Sequence, residues 1–227
     1  MKKLITCIVA TALLFACASE TEKGVLEDIA EVYGGETSYS KSFVSNTSEK
    51  RTTFNVTIKN SQMIDTLAPT VTTANASLMV YDALTSEEKK NYTDIETILV
   101  NAKNDTISYY YPMSALAPIS KKAKVFHTFS SILVDGNFDQ LNELDRADDI
   151  PANFSEILKN GVAQFEKKYG SLKAYQTFGV AEERDNVGTY YQFQAHLIFA
   201  NGHKMGYWAV VDAAPDNDAL LGYKFFQ

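Results

Sequence analysis

Three histidines, two cysteines and twenty-eight carboxylates are the groups in this 227-residue chain with the widest chemical reach. The histidines are dispersed, and a zinc site needs clustered Cys and His, so no metal or other cofactor is implied. His127 lies between Phe126 and Thr128 on a helical stretch. His196 falls on the polar face of a strand, and His203 follows a hairpin turn. Each reads as a solvated or core-edge histidine. Glu182 and Glu183 look like a carboxylate pair, but adjacent strand residues point to opposite faces and cannot share a substrate without a bulge. Asp212, Asp216 and Asp218 suggest calcium, yet the central Gly and position-12 Glu of an EF-hand loop are absent, which leaves a solvated turn. Tyr109-Tyr110-Tyr111 and Tyr190-Tyr191 could stack on sugars or bases, although strand propensity explains them more economically. There is no Gly-rich phosphate loop, Gly-x-Ser-x-Gly elbow or His-Glu-x-x-His. No catalytic residue is assigned.

The chain is 45% hydrophobic and 22% charged, with five Pro and eleven Gly, which is an ordinary globular composition. A net charge of −7 argues against a polyphosphate partner, so nucleic-acid binding is not expected.

Lys2 and Lys3 precede an apolar run from Leu4 to Ala16. As helix it covers roughly 20 Å, short of the ~30 Å hydrocarbon core of a bilayer, and it reads as a signal-peptide h-region over residues 1–16. The run ends in Leu14-Phe15-Ala16-Cys17, which resembles the bacterial lipobox: an aliphatic residue at −3, a small one at −1, then the Cys. Phe15 departs from the usual small or β-branched residue at −2; an ordinary secretory signal with a chance Cys is the alternative. The resemblance implies cleavage before Cys17, a diacylglyceryl thioether on its sulfur and a third acyl chain such as palmitate on its amine. Two acyl chains anchor firmly at ~0.8 kcal/mol per buried methylene. The implied location is the cell envelope, lipid-anchored at the outer membrane, with the face left open. Cys7 leaves with the leader, so no thiol remains for a disulfide. Loss of Lys2 and Lys3 takes 21 basic residues to 19 against 28 acidic, and such a body is expected to stand off anionic lipid. Residues 17–24 read as the lipidated Cys and a polar tether, whose acidic character loosely resembles the surface-export tag of some outer-membrane lipoproteins.

The elements that would position the remaining groups follow from periodicity. Over 25–112 the order is α-β-β-α-β-β: a helix ending at Gly34-Gly35, strands 38–45 and 52–59, a helix opened by Pro69 with stripe Val71, Ala74, Leu78 and Tyr81, then a hairpin of 95–100 and 106–111. Residues 112–120 contain two prolines and mark a domain boundary. Beyond it come a helix over 121–134, a short one near 138–144, and one entered at Asp148-Asp149-Ile150-Pro151 with stripe Phe154, Ile157, Leu158, Phe165 and Tyr169. Strands 172–183, 187–200, 204–213 and 220–226 close the chain, with Asn201-Gly202 as a type I′ turn. In strand 187–200, Val187, Thr189, Tyr191, Phe193, Ala195, Leu197 and Phe199 share one face; Gly188, Tyr190, Gln192, Gln194 and His196 share the other.

The expected fold class is therefore α+β, in two α+β units over 25–112 and 119–227, the second a pair of helices followed by a four-stranded antiparallel meander. That order, with Phe199-Ala200-Asn201-Gly202-His203-Lys204, Tyr207-Trp208-Ala209-Val210-Val211-Asp212 and Leu221-Gly222-Tyr223-Lys224-Phe225, resembles the cystatin-like cone of the nuclear-transport-factor-2-like superfamily. The resemblance covers 121–227 and implies a bent sheet wrapped on a long helix. The superfamily hosts enzymes, binding pockets and interaction modules, so it names no activity. Asp65-Thr66-Leu67 and Asp105-Thr106-Ile107 resemble an Asp-Ser/Thr-aliphatic motif of periplasmic O-glycosylation, with Thr66 and Thr106 as acceptors. The favoured function is a membrane-anchored binding or protein-interaction module for an envelope protein or small ligand. The alternatives are a cone-pocket hydrolase or isomerase and a structural component of an envelope assembly. The cone is expected to be filled by large side chains, with recognition on the exposed face bearing Tyr190, Gln192, Gln194 and His196.

Overall fold

The computed structural model describes residues 19–45, 50–148, 150–186 and 188–226. Leu14, Phe15, Ala16 and Cys17, with Val187, lie outside the described residues. Helix α1 spans Glu20–Tyr33. Ser19 caps it: its hydroxyl accepts from the Glu22 N–H at 3.1 Å, and the Glu22 carboxylate accepts from the Ser19 N–H at 3.0 Å. Residues 20–24 are thus the opening turns of α1 and not a tether, because this reciprocal cap satisfies donors that a tether would leave to water. Gly34 and Gly35 end the helix at positive φ, and a Cβ on Gly35 would lie 2.4 Å from the Lys59 carbonyl oxygen, so only glycine fits there.

Strands β1 (Glu36–Ser45), β2 (Lys50–Lys59), β3 (Asp94–Val100) and β4 (Thr106–Pro112) form one sheet in the order β1-β2-β3-β4. β2 and β3 pair parallel, because α2 (Pro69–Ala83) and the short α3 (Ser86–Lys89) form the crossover between them. The alternation expected of 52–59 is met: Phe54, Val56 and Ile58 are fully buried. Their core takes in Val25 and Ile29 from α1 and Ile95 from β3.

Helix α4 runs unbroken over Met113–Asp135, with Pro112 at its N-cap and Pro118 inside it. Of the stretch 112–120, expected as a boundary, residues 113–120 are therefore helical. Leu116 is fully buried in the first core and Ile119 packs against both cores. Burying those side chains outweighs the backbone hydrogen bond that Pro118 cannot make. A 3₁₀ turn (Phe138–Glu143) and α5 (Phe154–Tyr169) follow. The buried stripe of α5 is Phe154, Leu158 and Val162; Ile157, expected in it, is 46% exposed. The helix begins beyond Asn153, later than Asp148 suggested.

β5 (Leu172–Arg184), β6 (Thr189–Phe199), β7 (Lys204–Asp212) and β8 (Leu220–Phe226) make the second sheet, an antiparallel meander. The molecule is α+β, with two four-stranded sheets. The two cores exchange residues: Phe178 of β5 belongs to the first, Leu78 of α2 to the second. Accordingly α2 is buried on two sides instead of along one stripe, including Thr72, Thr73, Asn75, Ala76, Ser77, Leu78 and Val80. Ser77 and Thr97 share a hydroxyl hydrogen bond of 2.8 Å toward the first sheet. On the other side α2 lies against β5, so closely at Gly179 that a Cβ there would come within 2.4 Å of Val71. The helix thereby covers an otherwise open edge strand.

Candidate functional site

The interior of the second sheet is filled with rings. Phe126 stacks on Phe193 at 5.2 Å and on Tyr207 at 5.9 Å between centroids. Tyr207 donates to the Ser130 hydroxyl at 2.7 Å, and burial pushes its own hydroxyl far above the ordinary tyrosine range. As the strand parity of β6 requires, Tyr191, Phe193, Ala195, Leu197 and Phe199 all face this interior.

The opposite face carries Tyr190, Gln192, Gln194 and His196, all half-buried. Trp208, the single tryptophan, stands beside Gln194 in register and was missed as a member of this face. His196 is packed on one side. Its ring stacks on Phe178 at 4.4 Å, and burial holds its imidazole below the ordinary histidine range. A β-bulge near Thr177 and Gly179 admits Phe178 to this position, which no strand alternation could foresee. His203 is likewise packed, its ring 3.8 Å from that of Tyr169.

The side chains best arranged for ligand chemistry lie elsewhere, in a cleft of about 280 Å³ where α1, α2, α4 and β5 meet. Helical spacing presents them: Asn75, Leu78, Met79 and Asp82 along α2, Ala123 and His127 along α4, Val25 and Asp28 along α1. Asp28 and Asp82 are exposed at the rim, while Leu78 and Phe193 belong to the buried floor. The His127 Nδ1 lies 3.1 Å from the Tyr175 hydroxyl. Burial pushes the His127 imidazole below its ordinary range, and the Asp82 carboxylate opposes that shift. The Ser120 hydroxyl donates to Asp82 at 2.5 Å, steadying the carboxylate. Behind the cleft, Asn75 donates to the buried Tyr33 hydroxyl at 2.8 Å, and Tyr33 donates to the Phe178 carbonyl at 2.9 Å. No lysine or arginine lines the cleft. Three helices and β5 supply its polar groups from positions far apart in the chain, so no local motif announces it.

The aspartate-rich turn has an internal cation. Lys122 of α4, 1% exposed, donates to the carbonyls of Ala214 (2.5 Å) and Asn217 (2.7 Å) and to the Asp218 carboxylate (2.8 Å). The turn is therefore only partly solvated: the Lys122 ammonium binds it from inside, at Asp218 and two carbonyls. Among the described residues no group of three or more His, Cys, Asp or Glu is positioned for a metal ion. Glu182 and Glu183 fall on opposite faces of β5, pairing with Tyr191 and Tyr190. Thr66 lies in an exposed turn and Thr106 at the first position of β4. Folding brings their two tripeptides together: Asp65, Leu67, Asp105 and Ile107 line a single depression of about 230 Å³. No helix among the described residues is long and apolar enough to cross a membrane. Comparison with known proteins found no matching family model, no matching curated protein and no matching solved structure.

Proposed function

We propose that this chain is an envelope lipoprotein, anchored through Cys17 at the outer membrane, which binds a small organic cation in the cleft between its two sheets. The observation that carries the reading is the convergence of Asp28 and Asp82 from different helices over an apolar floor, with no basic side chain among them. Clefts between packed units are common ligand sites, and about 280 Å³ sits just under the roughly 300–1,000 Å³ of drug-sized ones, so the ligand is small. The half-buried imidazole of His127, its pKa held below the ordinary value by desolvation, adds no competing positive charge near pH 7. The anchor is supported by the h-region and by Leu14-Phe15-Ala16-Cys17, and Thr66 and Thr106 remain the proposed O-glycosylation acceptors. The helices lying on one face of the β5–β8 meander support a cystatin-like cone.

Calorimetric titration of the mature chain with n-butylamine, n-butanol and butyrate tests this proposal. The amine binds more tightly than the alcohol, and butyrate does not bind. Asp82→Asn weakens the amine about fivefold, roughly 1 kcal/mol, a modest loss because the carboxylate is solvated. Equal affinity for amine and alcohol, or an unchanged constant in Asp82→Asn, overturns the proposal. A second reading, acid–base catalysis on the bound cation, is favoured by the His127–Tyr175 contact, since a neutral imidazole is a competent general base. Under that reading His127→Ala abolishes turnover while the amine still binds.

A further inference from the structure

The start of α1 defines which end of the molecule an anchor would hold. Cys17 precedes the N-cap Ser19 by two residues, and two residues of extended chain span at most about 7 Å. With residues 20–24 helical, an acylated Cys17 leaves no long leash on which the body could turn away. Chain direction fixes the neighbours of Ser19. α1 leads through Gly34-Gly35 into β1 and returns along it, so the beginning of the helix lies beside the end of the strand. A network around the buried Glu22 ties the two together: the exposed Lys41 pairs with it at 2.7 Å, and the Tyr92 hydroxyl donates to the same carboxylate at 2.7 Å. Glu88 reaches Ser19 from α3 at the same end.

Beyond Lys41 and Ser42 on β1 come Phe43, 61% exposed, and Val44, 40% exposed. They point to opposite faces of the sheet and neither has a core to join. Arg51, across from Val44, lies over the ring of Tyr110, itself 48% exposed. An exposed apolar pair at the end of an edge strand is an association hazard in water. The charges nearby are mixed and largely paired, as in Lys23–Glu20 and Lys90–Glu87, so attraction to anionic lipid is not what this end offers. We infer that Phe43 and Val44 enter the bilayer interface beside the acyl chains, giving the protein a second membrane contact and a fixed orientation. This inference rests on the lipoprotein reading. It places the Lys41–Glu22 pair and the Arg51 guanidinium over Tyr110 at the headgroup level.

The test uses the full-length protein expressed with its leader, purified in acylated form and reconstituted into phosphatidylcholine vesicles. Phe43→Cys, or Val44→Cys should that variant fold better, carries a polarity-sensitive fluorophore, as does Lys103→Cys in the exposed β3–β4 turn, at the opposite end of the first sheet, as a control. The expected result is blue-shifted emission at position 43 that brominated acyl chains quench at least threefold, with the label at 103 unaffected. Equal, water-like emission at both positions in vesicle-bound protein overturns the inference while leaving the anchor intact. A mass without acyl chains, together with failure to float with vesicles, overturns the anchor itself and the orientation with it.

Discussion

Replacing Lys122 by methionine lowers the free energy of unfolding by about 3 kcal/mol, the lower end of what breaking a buried ion pair costs. Methionine keeps most of the apolar stem inside α4, so the loss reports the ammonium. That group spends its donors on Ala214, Asn217 and Asp218, and it joins α4 to the loop between β7 and β8. Without it, two carbonyls lose their partner and Asp218 keeps only the more distant ammonium of Lys121, at 3.8 Å. The Asp212 contacts to the Ala214 N–H and the Asn217 amide, at 2.8 and 2.6 Å, remain but hold a turn with an empty centre. Partial exposure of Asp218 lets water relieve some of the cost, which is why the upper end of the range is not reached. The pH dependence has a definite sign. The Lys122 hydrogen bond holds the Asp218 carboxyl below its ordinary range, so this contribution is complete above about pH 4 and fades as pH falls through the folded-state value. Urea unfolding at pH 7 and at pH 3 should therefore show the wild type losing more stability on acidification than Lys122→Met. An unchanged midpoint in the variant at pH 7 would show that the ammonium contributes nothing.

Changing Cys17 to alanine has the largest effect expected of any single substitution, because it is all or none. The thioether needs the Cys17 sulfur and no other side chain can replace it. Cys17→Ala should abolish incorporation of labelled palmitate and leave the protein unprocessed or in the soluble fraction. The folded body should be unaffected, since α1 is capped by Ser19 and begins after the changed residue. Unchanged labelling and unchanged membrane fractionation would contradict the anchor. A protein that is still exported and cleaved but never acylated would point to the ordinary secretory signal.

Much of the fold was legible because strand parity and helix punctuation are local. Phe54, Val56 and Ile58 on β2, and Tyr191 to Phe199 on β6, could be assigned to a buried face from alternation alone. Gly34 and Gly35 end α1 where their type suggested. Misplacements occurred where tertiary burial decided. Pro118 reads as a breaker, but Leu116 and Ile119 on either side of it need to be buried, so the helix continues through. Glu20 to Gly24 reads as tether because its helix signal is a cap, and the buried Glu22 is satisfied by Lys41 and Tyr92 from distant strands. The burial of Glu22 raises its pKa, but those partners outweigh burial and hold the carboxyl below its ordinary value. The candidate site was hardest to see. Asp28, Asp82 and His127 are unremarkable on their own helices, and only the packing of α2 between the two sheets brings them to one rim. His196, conversely, seemed available until the bulge in β5 put Phe178 over it.

Amide and side-chain NMR shifts during titration with n-butylamine test the central claim most directly, because they separate the two candidate surfaces in one experiment. If the cleft is the binding site, the ring signals of His127 and the amides around Asp28 and Asp82 move in a saturable way, and the indole N–H of Trp208 on the opposite face of the second sheet stays in place. Movement of the Trp208 indole with the His127 ring unmoved would contradict the account and transfer recognition to the face bearing Tyr190, Gln192 and Gln194.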